Sequence, residues 1–262
     1  MAVFADHPFA LITTPIYQAR QKSKDYDPDV FDRVAADMAC SHNMILRGLN
    51  AIYLQALHIK AEDIDAFLHF ILNWSKELHN HHDMEEGGFF PVLEDMTGEK
   101  GVMDANIDQH RAFHGGMEAL HAYVEGCVAR TEEYDGVKVV KIIDTFGAIL
   151  RQHLSDEIPT LLGLRRFGAE KMAAVEDVLN AESAKIIKRL GLFTGVSWGF
   201  SNHDVTYEGG LWEHWPPAPE LLVFLVRNAA YHVHSDWWKF SSCDRYGCPR
   251  PLYAIPENHR SS

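Results

Sequence analysis

The chain carries sixteen histidines, and several of them stand where a helix would otherwise bury apolar side chains. His81 and Glu85, His110 and His114, and His153 and Glu157 are pairs four residues apart, and His42 sits in a fourth periodic segment. Side chains four apart on a helix lie on one face, one turn apart, so each pair can present two ligands in one direction. Burying this many polar groups without partners costs roughly several kcal/mol. A metal centre removes the difficulty, because it takes the imidazole lone pairs and neutralises the carboxylates. Five histidines and two glutamates are too many ligands for one ion. Two metal ions account for them, bridged by both carboxylates and by an oxo or hydroxo group, with one open position. An imidazole-rich set with carboxylates suits iron, although ligand softness alone would also admit Zn, Cu or Ni. A metal-free polar network is the plain alternative, and a half-satisfied buried network is costly.

The segment around His81 offers a competing pair, His82 and Glu86. His81 is preceded at helical steps by Leu78, Trp74, Ile71 and Phe67, all apolar. His82 is preceded by His79 and Ser75 before Leu72 and Leu68, a more polar face. His81 and Glu85 are therefore taken as ligands, with His82 and Glu86 at the rim. His121, two turns beyond His114, reads as structural, and His58 and His69 read as surface residues. Cys243 and Cys248, with His232 and His234 upstream, match no common zinc-finger spacing.

Four helices must position these residues. The first periodic seam runs through Phe31, Ala35, Met38, His42, Ile45, Leu49, Ile52 and Ala56, and the second from Phe67 to Glu85. A third runs through Ile107, His110, His114, Met117, His121 and Val124, and a fourth from Val139 through His153 to Glu157. Seams of this kind line the core of a helix bundle. Breaks are expected at Gly87-Gly88 and over 91–101, over 131–136, and at Pro159. The expected fold is all-α, an antiparallel four-helix bundle over residues 31–168 behind an irregular arm at 1–30. Residues 169–262 add a helix from Ala169 to Leu190, stopped by Gly191, and an irregular extension holding five of the six tryptophans. Leu221 to Tyr231 could form one further short helix.

Composition bounds the partners. The 262 residues carry 24 Lys and Arg against 37 Asp and Glu, a net charge of −13. Nucleic acids and anionic membranes reward basic patches, so neither is an expected partner. The longest aliphatic or aromatic run near the C-terminus is Leu221 to Val226, far short of the roughly 20 residues that span a bilayer. No basic segment precedes an apolar one at the N-terminus, so no signal peptide is expected. Four scattered cysteines read as free thiols of a cytoplasmic protein.

At the ligand positions the sequence resembles the hemerythrin family, in the branch of HHE cation-binding domains. The matching pieces are SHNMILRGLN around His42, HHDMEEGGFFP from His81 to Pro91, DQHRAFH from Asp108 to His114, and HLSDEIPTL from His153 to Leu161. The whole chain looks like fungal members of that family. The resemblance implies a non-haem di-iron centre in which His110, His114 and His153 hold one iron. His42 and His81 would hold the other, which keeps the open position for O2, and Glu85 and Glu157 would bridge both. Where blood-worm hemerythrins have an aspartate five residues after the last histidine, this chain has Glu157 at four, as HHE domains do.

Two functions follow as expectations. In the first, the centre binds and activates O2 on a small organic substrate, as an oxygenase or oxidase with an electron donor. The long aromatic extension favours this, since a carrier has no evident use for it. In the second, the chain is a reversible carrier, store or sensor of O2 or iron, which suits a ligand set that leaves a single open position.

Overall fold

The structure, a computed structural model, describes residues 2–256. Seven helices carry the architecture: α1 (Pro15–Lys22), α2 (Val30–Gln55), α3 (Ile64–Met84), α4 (Phe90–Thr97), α5 (Asp104–Val128), α6 (Gly136–Gly163) and α7 (Val175–Leu190). Helices α2, α3, α5 and α6 form the bundle. α2 packs on α3 and α6, and α5 packs on the same two, which makes a four-cornered core. No strand occurs among the described residues, and no described helix is long and apolar enough to cross a membrane.

Local chemistry explains where the helices begin. Asp29 accepts hydrogen bonds from the Phe31 and Asp32 amides while Asp32 accepts one from the Asp29 amide, a reciprocal cap on α2. Asp135 caps α6 through the Val137 amide. The arm before α2 is more ordered than its prolines suggest. It contains α1, started by Thr14 and Pro15. Buried Asn50 donates to the carbonyls of Ala5 and Phe9, and Asn43 exchanges hydrogen bonds with the Ile12 backbone, so α2 straps the arm down.

Three expected boundaries move. The Gly87-Gly88 pair does not end α3. The chain passes through a π-helical turn, Glu85–Phe89, straight into α4, and stops only at Gly98, whose φ of 68° suits glycine. Pro159 lies inside the last turns of α6, which continues to Gly163. The helix before Gly191 starts at Val175, because residues 169–174 form turns.

The extension folds back onto the bundle. Trp198, Trp238 and Phe240 are fully buried, and Phe240 lies edge-on to Phe67 at 5.0 Å between ring centroids. Gln55 at the end of α2 donates to the Phe240 carbonyl and accepts from the Ala254 amide. Buried Arg47 of α2 binds Asp204 of the extension at 3.0 Å and faces Asp6 of the arm at 3.4 Å. Arm, bundle and extension therefore share one polar anchor. Cys40, Cys127, Cys243 and Cys248 are all free thiols.

Candidate metal centre

Each bundle helix delivers polar side chains to one buried level. α2 brings His42, α3 brings His81 and His82, the π-turn brings Glu85, α5 brings His110, and α6 brings His153 and Glu157, all buried. They fall into two groups able to hold a metal ion. One is His82, Glu85, His110 and His153; the other is His42, His81, Glu85 and Glu157, and Glu85 belongs to both.

The geometry within the groups is that of ligands. His42 Nε2 faces His81 Nε2 at 3.2 Å and Glu157 Oε2 at 3.3 Å. His110 Nε2 faces His153 Nε2 at 3.0 Å and Glu85 Oε2 at 3.4 Å. His81 Nε2 stands 3.0 Å from Glu85 Oε1. The outward ring nitrogens are already engaged. His42 Nδ1 donates to the Leu154 carbonyl at 2.7 Å, His110 Nδ1 to Glu86 at 2.6 Å, and His153 Nδ1 to Gln109 Oε1 at 3.1 Å. These bonds set the tautomers so that the Nε2 lone pairs point inward. Burial holds His42 at about 4 and His153 at about 2, well below an ordinary imidazole, so both rings are neutral near pH 7.

Facing lone pairs repel, and the carboxylates relieve them only in part: against the upward push of burial, His81 and His110 hold the Glu85 carboxyl well below its ordinary value. All four oxygens of Glu85 and Glu157, together with His82 Nε2, are buried without a hydrogen-bond partner. Burial drives the Glu157 carboxyl upward and the Glu85 charge adds to it. An unpaired buried polar atom costs about 1–3 kcal/mol, more when charged, and five such atoms meet here. Cations held by the two groups would give these residues partners, so the donor set fits a metal centre.

The structure brings together six of the seven residues expected from the sequence and sets the seventh apart. His114 is exposed and lines a solvent-open pocket of about 570 Å³ with His79, Asp83 and Glu86. His82 takes the place expected for it, packed on the His110 ring at 4.2 Å between centroids. The reason is the rotation of α5. Its inward line runs through Asn106, His110, Phe113, Met117, Leu120 and Val124, so the next residue after Phe113 turns to solvent. The apolar Phe113 and Leu120, each one place before a histidine, carried that signal in the sequence. On α3 both adjacent histidines are buried, pointing about 100° apart into different groups, and His82 lies three residues before Glu85 on the same face. Glu86, marked in the sequence only as a rim partner of His82, instead orients His110, and Gln109, which orients His153, has no spacing that marks it. His121 lies outside both groups, half-buried and within 2.9 Å of the Ser75 hydroxyl.

His82→Ala is accordingly expected to lower the metal content by about one ion per chain, while His114→Ala leaves it unchanged. Metal analysis of the purified variants reads this directly, and the reverse order would restore His114 to the centre.

A further cavity opens on the other side of the centre. It measures about 130 Å³, and His81 forms part of its wall. α2 and α3 contribute Met38, Met44 and Met84, and the chain beyond the bundle contributes Ile186, Phe200 and Trp215. The histidine shared with this cavity belongs to the group with only two imidazoles.

A fold of this kind with paired His and Glu clusters is a cation-binding helical bundle, and comparison with known proteins agrees. The hemerythrin HHE cation binding domain family matches residues 35–164, and the chain belongs to that family. Over 253 residues it is 33% identical to the dimeric xanthone biosynthesis cluster protein R11 of Cryptosporiopsis sp. (strain 8999), an alignment spanning 95% of this chain and 92% of that relative. The likeness therefore extends through the arm and the extension as well as the bundle. No solved structure matches the chain.

Proposed function

We propose that the chain is a non-haem di-iron oxidoreductase that activates O2 on a small apolar organic molecule. The observation that carries this reading is the apolar cavity that ends on His81, with the extension as its outer wall. Ligand cavities are mostly apolar with a few placed polar groups, and this one has that character. A reversible carrier needs a dry pocket for O2 but no room for an organic molecule beside it. The relative's name places it in a xanthone biosynthesis cluster, which supports a tailoring role on a small aromatic compound.

Two iron ions bound there would supply the electrons that reduce O2. The protein's part is positional. His82, His110 and His153 would hold one ion, His42, His81 and Glu157 would hold the other, and Glu85 belongs to both groups. Leu154, Glu86 and Gln109 fix three of the rings from behind. Phe113 packs on His82 and His153 at 5.1 and 5.4 Å and braces both rings. The group with two imidazoles would be the one to take O2 next to a substrate, because its His81 lines the apolar cavity.

The test is a stopped-flow absorbance trace of reduced, iron-loaded protein mixed with O2, followed by removal of O2. One-way oxidation of the centre, faster when a substrate occupies the cavity, is the expected result. A spectrum that returns to its starting form when O2 is withdrawn would make the protein a carrier or sensor instead.

A further inference from the structure

The cavity beside His81 contains an acid that the ligand set does not use. Glu77 lies one turn before His81 on α3, lines the cavity, and is only 9% exposed. Its Oε2 has no hydrogen-bond partner, and Glu77 makes no ion pair among the described residues. No lysine or arginine lines the cavity. The second acid there, Asp37, is already engaged, accepting a hydrogen bond from the Trp215 indole at 2.6 Å. A buried carboxyl left without a partner is costly, so Glu77 is built for a group the protein itself does not provide.

We propose that the cavity binds an uncharged, hydroxylated aromatic molecule, a phenol, whose hydroxyl hydrogen-bonds the Glu77 carboxyl and so turns the ring towards His81. The wall explains the aromatic part. Met38, Met44 and Met84 line the cavity together with Trp215 and Phe200, and sulfur–ring and ring–ring contacts suit a flat molecule. The charge explains the neutral part. Two acids and no cation repel carboxylates and phosphates. Burial pushes Glu77 up to about 8, so near neutral pH it is an acid group that both donates and accepts, which matches a hydroxyl. The competing ligand is a cationic amine, which would ionise Glu77 and pair with it.

This assignment rests on the proposed function for the reaction at His81, while the binding itself is independent of turnover. Calorimetric titration of the full-length, metal-loaded protein without O2 tests it, with 2-naphthol, its methyl ether, 2-naphthoate and the cationic 2-naphthylmethylamine as probes. The naphthol should bind about tenfold tighter than the ether, and tighter than the anion and the amine. Glu77→Leu should erase the difference between naphthol and ether, and Glu77→Gln, which keeps the shape and an acceptor, should retain part of it. An unchanged preference in Glu77→Leu, tightest binding of the amine, or no preference in the unaltered protein would each overturn the proposal. The two readings fail separately. Phenol binding together with a reversible O2 spectrum removes the enzyme reading and leaves the cavity assignment. One-way oxidation without ligand discrimination does the converse.

Discussion

Glu85→Ala is expected to strip both metal ions from the protein, a larger loss than any single histidine variant produces. Glu85 is the one residue common to the two ligand groups, with Oε1 3.0 Å from His81 Nε2 and Oε2 3.4 Å from His110 Nε2. Removing it deprives each ion of a ligand and removes the negative charge between two cations. The histidines that remain face one another with unshared lone pairs, which no longer converge on a neutralised point. The fold should survive, because Glu85 lies in a helical turn whose backbone alanine readily keeps. Metal analysis after anaerobic iron loading and desalting, with circular dichroism as the control, measures the effect. A folded variant that retains two ions would show that Glu85 does not link the sites.

Trp198→Ala is expected to destabilise the protein by about 3–5 kcal/mol, the usual range for emptying a fully buried aromatic site. The indole carries the extension onto the bundle at Gly48 of α2, where even a Cβ would collide with the Trp198 ring and with Trp74. Glycine is required here by this close approach, in the middle of a helix that otherwise disfavours it. The neighbouring Gly199 and Phe200 form part of the cavity wall, so the same substitution should also weaken ligand binding in molecules that remain folded. Gly48→Ala should act from the opposite side of the contact, costing about 1–3 kcal/mol by overpacking. Urea unfolding followed by tryptophan fluorescence gives both values. If Trp198→Ala unfolds at the concentration that unfolds the unaltered protein, the extension is not held by this contact.

The bundle was legible because four long segments repeat apolar residues at helical spacing, and that periodicity survives any detail of packing. The clustered residues His42, His81, Glu85, His110, His153 and Glu157 were legible for the same reason, since each interrupts an apolar seam with a side chain that cannot be buried alone. Spacing could not choose between His82 and His114. Each lies within a turn of a true seam, and a rotation of a fraction of a turn decides which one points inward. On α5 the partners of Phe113 and Leu120 set that rotation. On α3 the π-turn that begins at Glu85 carries the chain on into α4 with both adjacent histidines buried. The cavity lay further from reach, because its wall joins Met38 of α2, Glu77 of α3 and Trp215 of the extension. No local pattern relates residues so distant in the chain. The amino-acid sequence alone determined a helical, metal-ready core, through periodicity and the cost of burying lone polar groups. Only the tertiary structure decided which histidine completes that core and what lies beside it, because both depend on how helices rotate and pack against chain far away.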